Sequence, residues 1–537
     1  MRALLTLLCV ALALPVAALI GAWGLLDEAA LAVLRHQAQT VLPEYALQSA
    51  LLAAGVGVGV VVLGASTAAA VTLFEFPGRR AFEWALLLPL AMPAYVLAYA
   101  WTDALQFSSP LHGALRELFG TRRALWPDVR SLPFAVLLFV LCLYPYVYLL
   151  ARAALGERAV RMMEAARLLG APMRRRVTEI ALPLARPAIA AGAALALMET
   201  LADYGVGAYF GLATFSTGIV KAWLVLGDPR AAAQLASVLL LVVAGLLAAE
   251  RAAQRRLRFA SARGAGARSA EARPLLLRGG GAAAAVALCA LPVLLGFMLP
   301  VLWLAWMLWQ EAVHSEFGLP LARFAQWAWS SFRLAGTAAL AATALALALA
   351  FVLRQGGRGR LLRALARLLS LGYAVPGAVI AVGILLPVGW LQQRWPDAGI
   401  GAVVTGTLFG LLYAYLVRFS AVALQSVESG YARVPVSIDE TARLLGSGAA
   451  RLFGRLHLPL LKRSALAAAL LVFVDVMKEL PATLVLRPFG SDTLAVVAYN
   501  FARDERLAEA ALPSLAIVAV GLIPVVLLSR AMRAPAG

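Results

Sequence analysis

The sequence predicts an all-α polytopic membrane protein of two homologous six-helix modules, about twelve spans in all, and three observations carry that prediction. Hydrophobic residues make up 62% of the 537 positions, charged residues 14%, and the mean hydropathy is +0.84. A chain of this length folded in water could not bury that much apolar surface. Apolar runs also recur at lengths that match a hydrocarbon core about 30 Å thick, which takes roughly 20 helical residues to cross. Finally, the segment Glu164-Ala-Ala-Arg-Leu-Leu-Gly170 returns as Glu440-Thr-Ala-Arg-Leu-Leu-Gly446, a constant 276 positions later. The register then holds: Leu182-Pro183 maps onto Leu458-Pro459, Glu199 onto Asp475, Asp203 onto Glu479, Asp228 onto Asp504 and Arg230 onto Arg506. A repeat of that extent means two related modules in one polypeptide, expected to face each other about a pseudo-two-fold axis.

Taken along the chain, the first module (1–250) offers spans near 3–26, 50–74, 84–104, 132–153, 186–204 and 231–250. The second (282–537) offers spans near 282–309, 332–353, 368–391, 401–423, 464–484 and 508–529. Between them, 251–281 is rich in Arg, Gly and Ala without apolar periodicity and reads as a basic cytoplasmic linker able to rest on anionic headgroups. Arg79-Arg80, Arg174 through Arg176, Arg251 through Arg278, Arg358 through Arg367 and Lys462-Arg463 fall on one side of a twelve-span arrangement. Short basic loops stay in the cytoplasm, so both termini are expected there. The segment 105–131 dissents, carrying Arg116, Arg122, Arg123 and Arg130 on the outer side, and its prolines point to a folded loop.

Several classes drop out. The formal charge of +19 is spread over loops between spans, which topology explains without a nucleic-acid partner. The first apolar run lacks a small-residue cleavage site and is read as a retained span. Cys9, Cys142 and Cys289 lie in separate spans and read as packing residues. Neither a Gly-x-x-x-x-Gly-Lys-[Ser/Thr] loop nor a His-Glu-x-x-His pair occurs, and the four histidines are scattered. The chain is therefore not expected to be an enzyme, to hold a fixed metal or to bind a cofactor, and energy for pumping must come from a partner or a gradient. Pro93 and Pro376 occupy corresponding spans and predict bends, while Tyr144, Tyr146, Tyr148, Tyr413 and Tyr415 read as an aromatic belt at the membrane surface.

The repeated loops (155–185 and 428–463) continue from Gly170 through nine residues to Ile180-Ala-Leu-Pro183, and from Gly446 through nine to Leu456-His-Leu-Pro459. Leu168 and Leu169 form an apolar ridge on an otherwise polar helix, a composition suited to a groove on a partner, and Gly170 and Gly446 permit a turn. This pattern resembles the EAA loop of ABC importer permeases. The resemblance implies a short helix, a turn at the glycine and a second helix along the cytoplasmic face, docked on an ATPase subunit. It assigns ATPase coupling to Glu164, Ala165, Ala166, Leu168, Leu169 and Gly170, and to Glu440, Thr441, Ala442, Leu444, Leu445 and Gly446. Thr441 is a mild departure, since Ala165 stands at that place in the first copy. The implied partners are two copies of an ABC ATPase, which uses the ATP, and a periplasmic or lipid-anchored substrate-binding protein.

Further on, Val474-Asp475-Val-Met-Lys478-Glu479-Leu-Pro481, Arg487-Pro-Phe-Gly490 and Asp504-Glu505-Arg506 resemble the fused permeases of ferric-iron ABC importers. Permeases for thiamine, polyamines or phosphonates share part of these motifs. If the fifth span starts near Arg186, Glu199 lies about 20 Å along it and Asp203 four residues on, on the same face. Asp475 and Glu479 repeat the pair. Carboxylates in a span call for a cavity or a partner, and two uses fit these four: a negative lining for a hard cation such as Fe³⁺, or pairing with Lys478, Arg487 or helix ends. A gradient-driven secondary transporter is the competing class, though equal six-span copies are parallel rather than inverted repeats.

Overall fold

The computed structural model describes residues 2–25, 27–156, 160–261, 275–315, 318–355 and 360–533. The chain is helical almost throughout, apart from Phe74–Glu75 paired in parallel with Leu275–Leu276. Nine described helices are long and apolar enough to cross a membrane, or ten when the bent pair Arg79–Ala91 and Ala94–Leu118 is taken as one span. Two of the expected twelve fall outside this set for a visible reason. Gly377–Arg394 ends in Gln392, Gln393 and Arg394, and Leu458–Lys478 carries Lys462 and Arg463 near one end and Asp475 and Lys478 near the other.

The chain forms two compact units, one of Met1–Gln39, Gly218–Leu240 and Pro320–Val497, the other of Thr40–Thr217, Leu241–Leu319 and Ala498–Gly537. The second of these is built on Leu42–Leu73, Leu132–Ala154 and Leu182–Ala202, which pack on one another. The first is built on Leu321–Arg354, Phe409–Tyr431 and Leu458–Lys478, the same trio at the repeat spacing. The units do not follow the sequence boundaries 1–250 and 282–537, because each adds helices from the other half to its trio. The helix Pro229–Ser261 carries regular structure past residue 250, and residues 262–274 of the expected linker lie outside those described.

Close helix approach substitutes for a hydrophobic driving force that lipid cannot supply. A side chain at Gly55 or Gly59 would meet Val136 or Val140 on the facing helix, and one at Gly192 would run into the backbone of Val147. Cys9, Cys142 and Cys289 are buried and form no disulfide.

Pro93 and Pro376 do more than bend a span. Each sits in extended conformation, with ψ of 142°, directly before a helix, and the helices on either side of Pro93 meet at 91°. The helix Arg79–Ala85 stops short of this break, and its end strands carbonyl groups. Tyr144 donates to the Leu86 carbonyl at 2.9 Å and Tyr148 to the Glu83 carbonyl at 2.9 Å, which supplies two of them. These tyrosines, with Tyr415, are fully buried rather than arrayed at the membrane surface, which corrects the aromatic-belt expectation for them. A hydroxyl on a bulky apolar ring suits a core that has carbonyls to satisfy.

The 105–131 loop is folded. Ser109 caps the helix Pro110–Leu118, His112 is buried against Trp126 with ring centroids 4.3 Å apart, and Arg130 makes a two-pronged pair with Glu505 at 2.7 Å.

Candidate functional site: repeated loops and intramembrane acids

Both loops adopt one backbone design. The helix Val160–Leu168 ends with Gly170 at φ +78°, and Val436–Leu444 ends with Gly446 at φ +77°. The Gly170 amide bonds the Arg167 carbonyl at 3.0 Å and the Ala171 amide the Ala166 carbonyl at 3.0 Å. The second copy repeats this with Gly446 to Arg443 at 2.9 Å and Ser447 to Ala442 at 3.0 Å. That pair of bonds defines a Schellman cap, whose left-handed residue favours glycine because any Cβ would crowd its own carbonyl. The glycine of the pattern therefore serves the helix end.

The cap turns the two leucines outward. Leu168 and Leu169 are 89% and 88% exposed, and Leu444 and Leu445 are 89% and 79% exposed. Ala165, Glu440 and Thr441 are exposed and Ala166 and Ala442 half-buried, whereas the side chain of Glu164 lies outside those described. Paired leucines left open at the same place in both copies form an apolar ridge ready for a groove.

After the turn, the second helix does not lie along the surface as a separate piece. It runs through Met173–Arg176 and a π-helical turn, Val177–Ala181, straight into Leu182–Ala202; the other copy does the same through Leu452–His457 into Leu458–Lys478. The cause is the Leu-Pro of the pattern: Pro183 and Pro459 have no amide to give a carbonyl four residues back, and the helix widens, with Leu182 bonding Val177 and Leu458 bonding Phe453. Each loop is thus continuous with a span.

The acids are placed differently from the same-face expectation. The span helix stops at Ala202 in one copy and Lys478 in the other, so Asp203 and Glu479 sit beyond its end. Asp203 accepts from the Val206 amide at 2.8 Å. Glu479, buried at 4% exposure, accepts from the amides of Ala482 at 3.0 Å and Thr483 at 2.9 Å and pairs with Arg418 at 3.1 Å. Both carboxylates hold the first turn of a short helix, Gly205–Phe210 or Pro481–Leu486, where free amides and the helix dipole favour negative charge. Glu199 and Asp475, inside their helices, are half-buried, and Asp475 lies 3.6 Å from Lys478. Among the described residues no group of three or more His, Cys, Asp or Glu is arranged to hold a metal ion.

One cluster was missed in the sequence. Arg354, at the end of Leu321–Arg354, donates from Nε to Asp439 Oδ2 at 2.6 Å and from its other nitrogens to the carbonyls of Tyr431, Val434 and Pro435 at 3.2, 2.9 and 3.0 Å. His457 Nε2 lies 2.9 Å from Asp439 Oδ1, and its Nδ1 lies 2.9 Å from the Tyr431 hydroxyl. A carboxylate only accepts, so Nε2 carries the proton and Nδ1 accepts from Tyr431. Burial pushes the Asp439 carboxyl up, but the bonds from Arg354 and His457 outweigh it and hold the group below its usual range. Burial pushes the His457 imidazole down, against the opposing pull of Asp439. The available signal was the repeat itself: Asp439, His457 and Tyr431 stand where the first copy has Met163, Ala181 and Leu155, all buried.

Residues 60–258, which include the first loop, match the family model described as the binding-protein-dependent transport system inner membrane component. The chain is similar to an Fe(3+)-transport system permease protein, FbpB 2, of Haemophilus influenzae, at 25% identity over 488 residues, covering 89% of this chain and 88% of that protein. It is also similar to the putative 2-aminoethylphosphonate transport system permease protein PhnV of Salmonella typhimurium, 30% identical over 159 residues, 29% of this chain and 56% of that one. A third relative, PhnU of Salmonella paratyphi A, is 27% identical over 153 residues, 28% of this chain and 53% of its own length. The match thus spans about half of each phosphonate-system relative.

Proposed function

We propose, for a chain that belongs to the binding-protein-dependent transport system inner membrane components and so forms the membrane part of an ABC importer, that its cargo is ferric iron. The observation that carries this reading is coverage: the similarity to the Haemophilus iron-system permease runs through both modules, whereas the phosphonate-system matches cover 28–29% of the chain. The family works with an ATPase and a substrate-binding protein. Two exposed leucine ridges on two loops of one design support two ATPase subunits, one per loop, with ATP consumed there and none bound by this chain. In this reading both termini are cytoplasmic and the membrane is the bacterial inner membrane.

Of the four acids, Glu199 and Asp475 are the candidates for the pathway. They are half-buried and within their span helices, while Asp203 and Glu479 are committed to helix ends. A mildly negative lining concentrates a hard cation without holding it, since tight coordination would slow release. Transport would proceed by alternating access: the binding protein delivers cargo outside, ATP brings the two ATPase subunits together, and the loops carry that movement into the spans.

The test is ATP-dependent uptake of labelled Fe³⁺, 2-aminoethylphosphonate and thiamine by cells expressing this chain with its ATPase and binding protein. Iron uptake that falls at least tenfold in Glu199→Gln/Asp475→Asn, with assembly intact, supports the reading. Uptake of the phosphonate or thiamine without iron retains the importer and overturns the cargo. Uptake that follows the proton gradient and needs no ATPase removes the importer itself.

A further inference from the structure

We propose that Arg354, Asp439 and His457 are positioning residues that pass movement of the second loop into the membrane spans. The inference rests on the importer reading above. The loop helix Val436–Leu444 is a poor handle by itself, since eight of its nine residues are exposed or half-buried and Asp439 is its one buried residue. Besides the backbone and the exposed bond from Arg443 to Gln355, force that an ATPase applies at Leu444 and Leu445 reaches the spans through that buried carboxylate. The carboxylate is held on both oxygens, by Arg354 at 2.6 Å and by His457 at 2.9 Å.

Those partners belong to different helices. Arg354 closes Leu321–Arg354 and also bonds the carbonyls of Tyr431, Val434 and Pro435, where Phe409–Tyr431 runs out into the loop. His457 is the last residue of the π-helical turn that opens Leu458–Lys478, and it stacks edge-on to Phe351 with centroids 5.2 Å apart. One side chain of the loop helix is thus tied to all three helices at the centre of its unit. A charge-assisted pair with two directed bonds transmits displacement and orientation together, which apolar packing cannot do, because burial alone has no preferred direction.

The experiment compares the whole complex carrying Asp439→Asn, Arg354→Gln or the two together with the unmodified one, each reconstituted with ATPase and loaded binding protein. Copurified ATPase, ATP hydrolysis with and without binding protein, and cargo moved per ATP are read on the same preparations. With ATPase still bound through the leucines, each single variant should lose at least fivefold in cargo moved per ATP. The double variant should be no worse than either single, as expected for two residues acting as one link. Should Asp439→Asn fold poorly, His457→Gln tests the same connection from the span side. Cargo per ATP within twofold of the unmodified complex overturns the link, as does a loss explained wholly by lost ATPase. If the unmodified chain retains no ATPase, the importer reading fails instead, so the two failures are separable.

Discussion

At aligned positions the two loops reach inward with different chemistry. The first has Met163, Leu155 and Ala181; the second has Asp439, Tyr431 and His457 at their places, bonded to one another and joined by Arg354, and all of these save Arg354 are buried. Outward, the loops are nearly the same: equal caps, equal glycine angles and equally exposed leucine pairs. Duplication has preserved the outward surface and let the inner attachment diverge. A thioether and a methyl group pack by area and tolerate small slips, while a carboxylate between a guanidinium and an imidazole fixes one geometry. The two modules therefore share an outward design but differ in what fixes it from behind.

The largest expected effect tests the shared part. Leu444→Ser/Leu445→Ser should weaken ATPase binding by about 3–6 kcal/mol, from roughly 1.5–3 kcal/mol per buried leucine, and Leu168→Ser/Leu169→Ser should match it in a binding titration. Unequal losses would extend the asymmetry to docking. Next comes Met163→Asp, which buries a carboxylate where Ala181 and Gly78 stand at the places of His457 and Arg354. A destabilisation of about 3–5 kcal/mol, the cost of an uncompensated buried charge, should appear as a lower thermal midpoint in detergent, with part of it recovered by adding Ala181→His. An unchanged midpoint would mean that the first loop is wet behind Met163.

Smaller effects follow at the caps. Gly170→Val and Gly446→Val should each cost about 1–2 kcal/mol from the left-handed backbone, raising protease cleavage of the loop to a similar degree in both modules. A clear difference would show that inner attachment also governs loop opening. The smallest effect is a pH dependence confined to the second loop. His457 is held below its ordinary value of 6.5, so its contribution is complete above that pH and is lost as pH falls through the lower folded value. Asp439, Arg354, Tyr431 and Arg443 are the charged and titratable groups around it. Amide exchange in 436–446 should therefore rise below about pH 6.5, and the rise should vanish in His457→Gln.

How much of this was legible varied with the length scale of the cause. Repeat spacing and apolar runs are local, and they exposed the membrane class, the duplicated modules and the loop pattern. The open leucines at 168–169 followed from composition, and those at 444–445 from the repeat and the family resemblance. What stayed hidden depended on partners distant in sequence. The tyrosines read as a belt because nothing nearby shows that the Leu86 and Glu83 carbonyls lack donors until the end of the helix Arg79–Ala85 is seen. Asp203 and Glu479 read as span residues because helix ends are not written in an apolar run, and the amides they bond lie past that end. The polar link was visible in principle as three departures from the repeat, but Arg354 and Asp439 are 85 positions apart and no pattern joins them.

The interleaving of the units bears on how the protein is made. The first helix, Arg2–Gly21, packs on Gly377–Arg394, where a side chain at Gly383 would strike the Pro15 carbonyl, and Tyr413 bonds the Ala11 carbonyl. Its partner surface does not exist until more than 350 further residues have left the ribosome, tens of seconds at roughly 5–20 residues per second. A helix with every backbone group satisfied internally can wait that long in a bilayer. Assembly of this unit is then a late event in synthesis, and a chain truncated before residue 321 leaves its first helix as an orphan in lipid, open to quality-control proteases.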